Sequence, residues 1–295
     1  MKNKYRNIFL AFGIVAVLIM IFTFDMDYQE LWANLKRAGV YLPLVLLLWL
    51  FVYLINTTSW YIIIRSGGKP GFSFARLYKF TVTGFALNYV TPVGLMGGEP
   101  YRIMELKPYI GVERATSSVI LYVMMHIFSH FCFWLSSVLL YLCLYPVGWV
   151  MGTILGTITV FCLLVAMLFV KGYQHGMAVA FVRLGSHLPF LKKKVIRFAD
   201  SHREQLENID KQIALLHQQK KGAFYAALFL EYTARVVSCL EIWLILNVLT
   251  RSVSFADCCL IAAFSSLLAN LLFFLPMQLG GREGGFALAV GGLSL

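Results

Sequence analysis

Five long apolar segments constrain this chain more than any other feature, because each is long enough to cross a lipid bilayer as a helix. The predicted crossings are residues 8–24, 41–64, 115–145, 147–170 and 222–249. The chain is 60% hydrophobic and 13% charged, whereas soluble domains average about 45–50% apolar and about 25% charged residues. The sequence therefore excludes a soluble enzyme, a secreted disulfide scaffold and a disordered chain. It predicts an all-α polytopic membrane protein folded as one transmembrane domain over residues 1–295.

The basic residues indicate how the chain is oriented in the membrane. Residues 171–221 hold ten of the 25 Lys and Arg residues, which predicts a cytoplasmic loop and a cytoplasmic N-terminus. Residues 8–24 follow a basic flank but lack a small-residue cleavage site, so we expect an uncleaved anchor. Apolar positions at helical spacing predict an amphipathic helix within 171–221. This helix either rests on the membrane surface or on the rest of the protein, or its basic residues attract anionic lipid headgroups. Orientation accounts for the net charge of +11, so no nucleic-acid partner is expected.

An internal repeat divides the remaining apolar sequence. Residues 73–75 and 254–256 both read Ser-Phe-Ala, and each begins an apolar stretch followed by Pro-x4-Gly-x-Glu. The residues that break these stretches are Pro92, Gly97 and Gly98 in the first copy and Pro276, Gly280 and Gly281 in the second. Proline and glycine interrupt helices, so we predict re-entrant hairpins over about 73–107 and 254–295. Three predicted crossings separate the copies, which indicates an inverted-topology repeat of the kind found in transporters.

Charged residues at membrane depth are the candidate binding residues. Glu99 and Glu283 occupy equivalent repeat positions, where each either stabilises a helix start through the helix dipole or lines a polar cavity that handles a headgroup or a proton. Arg102 lies one turn after Glu99 and could meet a phosphate. Glu231 and Arg235 are four residues apart, so they form either an internal ion pair or a contact to a lipid headgroup.

The sequence offers little support for a metal or cofactor. His126 and His130 share a helix face, which could present two metal ligands. No third ligand is evident near them, so a polar seam between helices is favoured. The six cysteines are predicted to be packing residues, and no Walker-type nucleotide loop is present.

Two sequence regions resemble the lysylphosphatidylglycerol synthase/flippase transmembrane-domain family. The first runs from Asn88 through Pro92, Gly98 and Glu99 to Arg102, and matches Asn-x3-Pro … Gly-Glu-x2-Arg. The second runs from Pro276 through Gly280 to Glu283 and matches Pro … Gly-x-x-Glu. The resemblance implies a multi-pass protein of the bacterial or archaeal inner membrane, and it adds Asn88 to the first hairpin. The best understood members move aminoacylated phospholipid across the inner membrane, and others are linked to envelope glycolipids.

These observations lead to a lipid flippase that moves or binds a phospholipid or glycolipid with a polar headgroup. Members that synthesise lipid carry a further soluble catalytic domain, and no acyl-transfer constellation is visible here, so we do not expect an enzyme. The alternative is an accessory subunit of an envelope lipid- or glycosyl-transferase, with residues 171–221 as its docking surface. A membrane enzyme acting on lipid is a third hypothesis. The expected partners are membrane lipids and, for the alternative, an envelope-biosynthesis enzyme.

Overall fold

The computed structural model describes residues 28–90, 97–175, 221–249 and 253–271, together with 207, 208, 210, 211 and 286. Within these ranges the chain forms eight helices and no strand. The helices are α1 (Tyr28–Ala38), α2 (Tyr41–Ser66), α3 (Phe74–Val90), α4 (Gly98–Ile110), α5 (Val112–Leu144), α6 (Trp149–His175), α7 (Lys221–Leu249) and α8 (Phe255–Leu271). The predicted all-helical architecture is confirmed.

Three of these helices are long and apolar enough to cross a membrane: α2, α5 and α6. They correspond to the predicted crossings 41–64, 115–145 and 147–170, so the chain is a multi-pass membrane protein. Helix α7 has 29 residues and covers the predicted crossing 222–249. The predicted crossing 8–24 and most of the predicted loop 171–221 lie outside the described residues.

The membrane helices expose apolar side chains and bury polar ones. Leu46 on α2 and Leu168 on α6 are 62% and 69% exposed. In contrast, Asn56, Thr57 and Ser59 on the second half of α2 are buried. Lipid tails solvate exposed leucine, whereas polar side chains in a membrane protein normally face the bundle interior. The distribution therefore fits a helical bundle surrounded by lipid.

Helices α5 and α6 form an antiparallel pair. Helix α5 ends where the Tyr145 N–H donates to the Tyr141 carbonyl, 2.9 Å away. The next residue, Pro146, has no N–H to donate, so the chain turns there. The rings of Phe128 on α5 and Phe169 on α6 stack with centroids 4.3 Å apart. These contacts hold two of the membrane-crossing helices together.

The contacts divide the chain into two compact units. The first comprises the described parts of Met1–Leu54, Tyr78–Tyr101 and Ala234–Leu295, and the second comprises those of Ile55–Leu77 and Arg102–Thr233. In the first unit Leu246, Val253, Cys258 and Ile261 form a buried cluster between α7 and α8. In the second unit Trp60, Leu106, Tyr122 and Met125 are among the most deeply buried side chains.

Helices α3 and α4 occupy the predicted first re-entrant segment and run antiparallel in the first unit. The Gly98 N–H at the start of α4 donates to Asn88 near the end of α3, and Tyr101 contacts Phe80 further back along α3, with ring centroids 6.4 Å apart. Of the second segment, 254–295, the structure describes α8 and Phe286.

The Ser-Phe-Ala sequences of the repeat mark equivalent helix starts. The Ser73 carbonyl accepts from the N–H of Leu77, and the Ser254 carbonyl accepts from the N–H of Cys258. Ser254 also caps α8 through its hydroxyl, which accepts from the Asp257 N–H at 3.1 Å. Serine at this position satisfies a donor that has no partner within the helix. The repeat thus begins with a helix start in both copies.

Candidate functional site

The side chain of Asn88 joins the end of α3 to the start of α4. Its Oδ1 accepts from the Gly98 N–H at 2.7 Å, and its Nδ2 donates to Glu99 Oε1 at 3.1 Å. The first bond satisfies one of the backbone donors that a helix N-terminus leaves unpaired. The second fixes the Glu99 carboxylate in the first turn of α4, where the helix dipole favours negative charge. The prediction that Glu99 lies where the chain restarts as a helix is confirmed.

Position 98 requires glycine because the start of α4 lies very close to α3 at this junction. A Cβ added there would lie 2.8 Å from Asn88 Oδ1 and 2.9 Å from the carbonyl carbon of Gly84 on α3, and it would be closer still to the Gly84 carbonyl oxygen. The sequence predicted that Gly98 favours a turn. The structure instead places it as the first residue of α4, packed against backbone.

The second unit contains a buried polar cluster made of Trp60, Arg102, Tyr122, His126 and Glu231. Arg102 is 1% exposed, and its guanidinium carbon lies 5.8 Å and 5.3 Å from the ring centroids of Trp60 and Tyr122. These two rings stack on each other with centroids 5.4 Å apart. An aromatic face attracts a cation, and the attraction is stronger where water is excluded. Helices α2, α4 and α5 therefore hold one positive charge inside the unit.

Glu231 brings a negative charge into the same cluster from α7. Its Oε2 lies 2.7 Å from His126 Nδ1 on α5, and its side chain is fully buried whereas that of His126 is 32% exposed. Among the described residues, Glu231 Oε1 has no hydrogen-bond partner. Burying a carboxylate is costly unless it is paired or protonated. The cluster therefore offers one cationic group and one acidic pair, which suits the binding of a charged headgroup or of a proton.

The structure brings only some of the predicted site residues together. Arg102 and Glu231 belong to the buried polar cluster, and Asn88, Gly98 and Glu99 meet at the α3–α4 junction. Glu231 makes a hydrogen bond to His126 on α5, and its predicted ion pair or shared headgroup contact with Arg235 stays a prediction. Arg235 is half-buried on α7, where its carbonyl accepts a hydrogen bond from the Ser238 hydroxyl. Gly97 directly precedes the first residue of α4. Outside the described residues lie Pro92, Pro276, Gly280, Gly281 and Glu283.

Sequence reasoning missed the aromatic surroundings of Arg102 and did not name Glu231 as the partner of His126, although it favoured a polar seam between helices at His126. In the sequence, Trp60 and Tyr122 cannot be distinguished from the other aromatic residues of their apolar helices. No sequence pattern therefore indicated that they surround Arg102. For the Glu231–His126 contact, the available signal was an acidic residue within one predicted crossing and a histidine within another. His126 and His130 do share a face, with ring centroids 5.7 Å apart. Within the described part of the chain, no group of three or more His, Cys, Asp or Glu residues could hold a metal ion.

The comparison with protein families gives a match over nearly the whole chain. Residues 8–295 match the family described as Lysylphosphatidylglycerol synthase TM region. The chain belongs to this family. The resemblance noted from the two repeat signatures is thereby confirmed, and the matched range includes both the α3–α4 junction and the buried polar cluster.

Membership in the Lysylphosphatidylglycerol synthase TM region family indicates a membrane function related to lipid. Neither the curated proteins nor the solved structures gave a match.

Proposed function

We propose that this protein binds a phospholipid or glycolipid by its polar headgroup and moves it between the leaflets of the bacterial inner membrane. The observation that carries the proposal is the buried polar cluster in a family with a lipid-related function. In this proposal the N-terminus is cytoplasmic and the protein breaks no covalent bond of the lipid.

The buried charges support a functional role because they are costly in an apolar bundle. A charged side chain at the centre of a membrane helix costs roughly 2.5–3.5 kcal/mol on insertion scales. Hydrophobic residues of similar volume would pack at least as well as a buried ion pair. Arg102 and Glu231 are both 1% exposed, so packing alone gives little reason to retain them. A guanidinium group matches phosphate oxygens in geometry and charge, which makes Arg102 the proposed headgroup contact.

The lengths of the repeat helices support the proposed re-entrant hairpins. Helix α4 has 13 residues, or about 20 Å at 1.5 Å per residue. The hydrocarbon core of a bilayer is about 30 Å thick. Within the described residues, α3 and α8 each cover 17 residues, or about 26 Å. Short hydrophobic segments in corresponding positions of two halves are the usual location of a transporter binding site.

The two repeat glutamates form the second part of the proposal. Glu99 is tied to Asn88 within the α3–α4 hairpin, and Glu283 is its counterpart by sequence. We propose that both handle a headgroup or a proton during transport, in hairpins that enter the membrane from opposite sides. The inverted arrangement would expose the site to each leaflet in turn.

Leaflet exchange in liposomes tests the proposal. The purified protein is reconstituted with a panel of fluorescently labelled anionic, zwitterionic and glycosylated lipids, and dithionite measures how fast inner-leaflet label becomes accessible. We expect exchange of at least one lipid class above protein-free liposomes, and loss of that exchange in a Glu99→Gln/Glu283→Gln double variant. A Glu105→Gln variant is the matched control, since it removes an acid from α4 outside the repeat signature. Equal exchange by wild type and double variant across the panel would refute the role of the two glutamates.

A further inference from the structure

We propose that α1 (Tyr28–Ala38) is an interfacial membrane anchor. The helix lies along the surface of one leaflet, with an apolar stripe inserted among the lipids and Lys36 at the level of their phosphates. The partner of this surface is the leaflet that borders the start of α2. The proposed function does not use this part of the chain, and the anchor holds whether or not the protein moves lipid.

The sequence of α1 is amphipathic. Apolar residues recur there at the spacing of one helix face: Tyr28, Leu31, Trp32 and Leu35. The other positions are mostly polar: Gln29, Glu30, Asn34, Lys36 and Arg37. With 11 residues α1 is about 16 Å long, whereas the hydrocarbon core of a bilayer is about 30 Å thick. An amphipathic helix too short to cross the bilayer is suited to lie in its interface.

The two described side chains of the apolar stripe are exposed on the protein. Trp32 is 61% exposed and Leu35, three residues further along the same face, is 39% exposed. In water this apolar surface would stay hydrated, which is unfavourable. Insertion of the stripe among lipid chains removes the same surface from water, as it does for the exposed leucines of the membrane-crossing helices.

The connection to α2 places α1 at the bilayer surface. Gly39 has a φ of +48°, the left-handed conformation in which glycine commonly ends a helix. Only Gly39 and Val40 separate α1 from Tyr41, the first residue of the membrane-crossing helix α2, and such a link spans about 10 Å at most. Val40 is 67% exposed, and α2 continues with the exposed Leu42 and Leu46. The exposed apolar surface of α1 is thus continuous along the chain with that of α2, which favours lipid as its partner.

The charged residues of α1 suit the headgroup region. Lys36 and Arg37 are exposed in the last turn of the helix, and Glu30 is the only acid in its sequence, so its net charge is positive. Lys36 Nζ lies 5.5 Å from the centroid of the Trp32 ring, within cation–π distance. Tryptophan rings concentrate at membrane–water interfaces, and lysine lays its stem along apolar surface with its ammonium in the polar layer. Trp32 and Lys36 together therefore match the boundary between lipid chains and phosphates.

Spin-label accessibility in vesicles tests the placement of α1. The full chain, with its six native cysteines replaced by alanine, carries one nitroxide at Trp32→Cys, Leu35→Cys or Arg37→Cys. The vesicles contain phosphatidylcholine and phosphatidylglycerol, and circular dichroism checks that each labelled protein is folded. Oxygen concentrates among lipid chains, whereas a charged nickel chelate stays in water. We expect the labels at positions 32 and 35 to relax mainly through oxygen, and the label at 37 mainly through the nickel chelate, because helical spacing places it opposite the stripe.

Two results of this measurement would overturn the anchor. Relaxation mainly through the nickel chelate at all three positions would place the stripe in water. Low accessibility to both reagents at positions 32 and 35 would mean that protein covers the stripe, either a second copy of this chain or another partner, and that lipid does not contact it.

Tryptophan fluorescence tests the phosphate contact of Lys36. The difference in emission between wild type and Trp32→Phe isolates Trp32 among the six tryptophans, and brominated lipids quench a tryptophan that they touch. A basic residue near the surface attracts anionic lipid, so brominated phosphatidylglycerol should quench Trp32 about twofold to fivefold more than brominated phosphatidylcholine at the same share of the vesicle. Lys36→Gln should remove this preference, and Arg37→Gln, the matched control, should keep most of it. Equal quenching by both lipids in wild type, or an unchanged preference in Lys36→Gln, would refute the contact.

Discussion

Replacing Gly98 by alanine should strongly destabilise the α3–α4 hairpin. The new methyl group would lie within 3 Å of the Gly84 carbonyl carbon and of Asn88 Oδ1. Two of the atoms it meets are backbone, so α4 itself must move away from α3. Overpacking of this kind costs about 1–3 kcal/mol. Displacing Asn88 also weakens its hydrogen bonds with the Gly98 N–H and the Glu99 carboxylate. This adds about 1–2 kcal/mol to the loss of stability.

Thermal unfolding in detergent measures the effect. A loss of about 2–5 kcal/mol should lower Tm by roughly 5–15 °C, since each kcal/mol shifts Tm by about 2–4 °C in larger domains. Gly156→Ala is the matched control, because its Cβ meets no atom within 4 Å. Alanine in that helix interior should raise stability by up to about 1 kcal/mol. The reasoning fails if Gly98→Ala unfolds at the wild-type temperature or shifts Tm in the same direction as Gly156→Ala.

Two further predictions test other parts of the fold. The Arg114 guanidinium donates to the carbonyl of Ile64 in the last turn of α2 and to that of Gly68 just after it. Arg114→Ala should therefore lower the free energy of unfolding by about 1–3 kcal/mol, and an unchanged denaturation midpoint would contradict this. Gly97→Cys and Gly281→Cys, each introduced where the six native cysteines are replaced by alanine, should react with a membrane-impermeant maleimide from opposite sides of the membrane. Labelling of both from one side would refute the inverted repeat.

Local sequence patterns predicted the helices well because the forces that end a helix are local. Pro146 lacks an N–H and marks the α5–α6 turn, and the Ser-Phe-Ala sequences mark the starts of α3 and α8. Glu99 was placed correctly at a helix start, since glycine and proline precede it within a few residues. The family was also recognisable, because its first signature includes Asn88, Gly98 and Glu99, which meet where α3 ends and α4 begins.

Contacts between distant parts of the chain were harder to predict. Glu231 and His126 are separated by 105 residues, and residue spacing within one helix cannot reveal a contact with another helix. The aromatic rings around Arg102 come from α2 and α5, and nothing in either helix distinguishes Trp60 or Tyr122 from core residues. The need for glycine at position 98 depends on how closely α3 approaches. Such features arise from packing, which periodicity in a single sequence does not specify.

The most direct test of lipid translocation through the buried polar cluster is leaflet exchange by Arg102 variants. The assay compares wild type, Arg102→Lys and Arg102→Gln in liposomes, with Arg65→Gln as an exposed control. The account predicts wild-type exchange in Arg65→Gln, reduced exchange in Arg102→Lys and loss of at least tenfold in Arg102→Gln, with all variants folded by circular dichroism. Wild-type exchange rates in a folded Arg102→Gln protein would contradict the account.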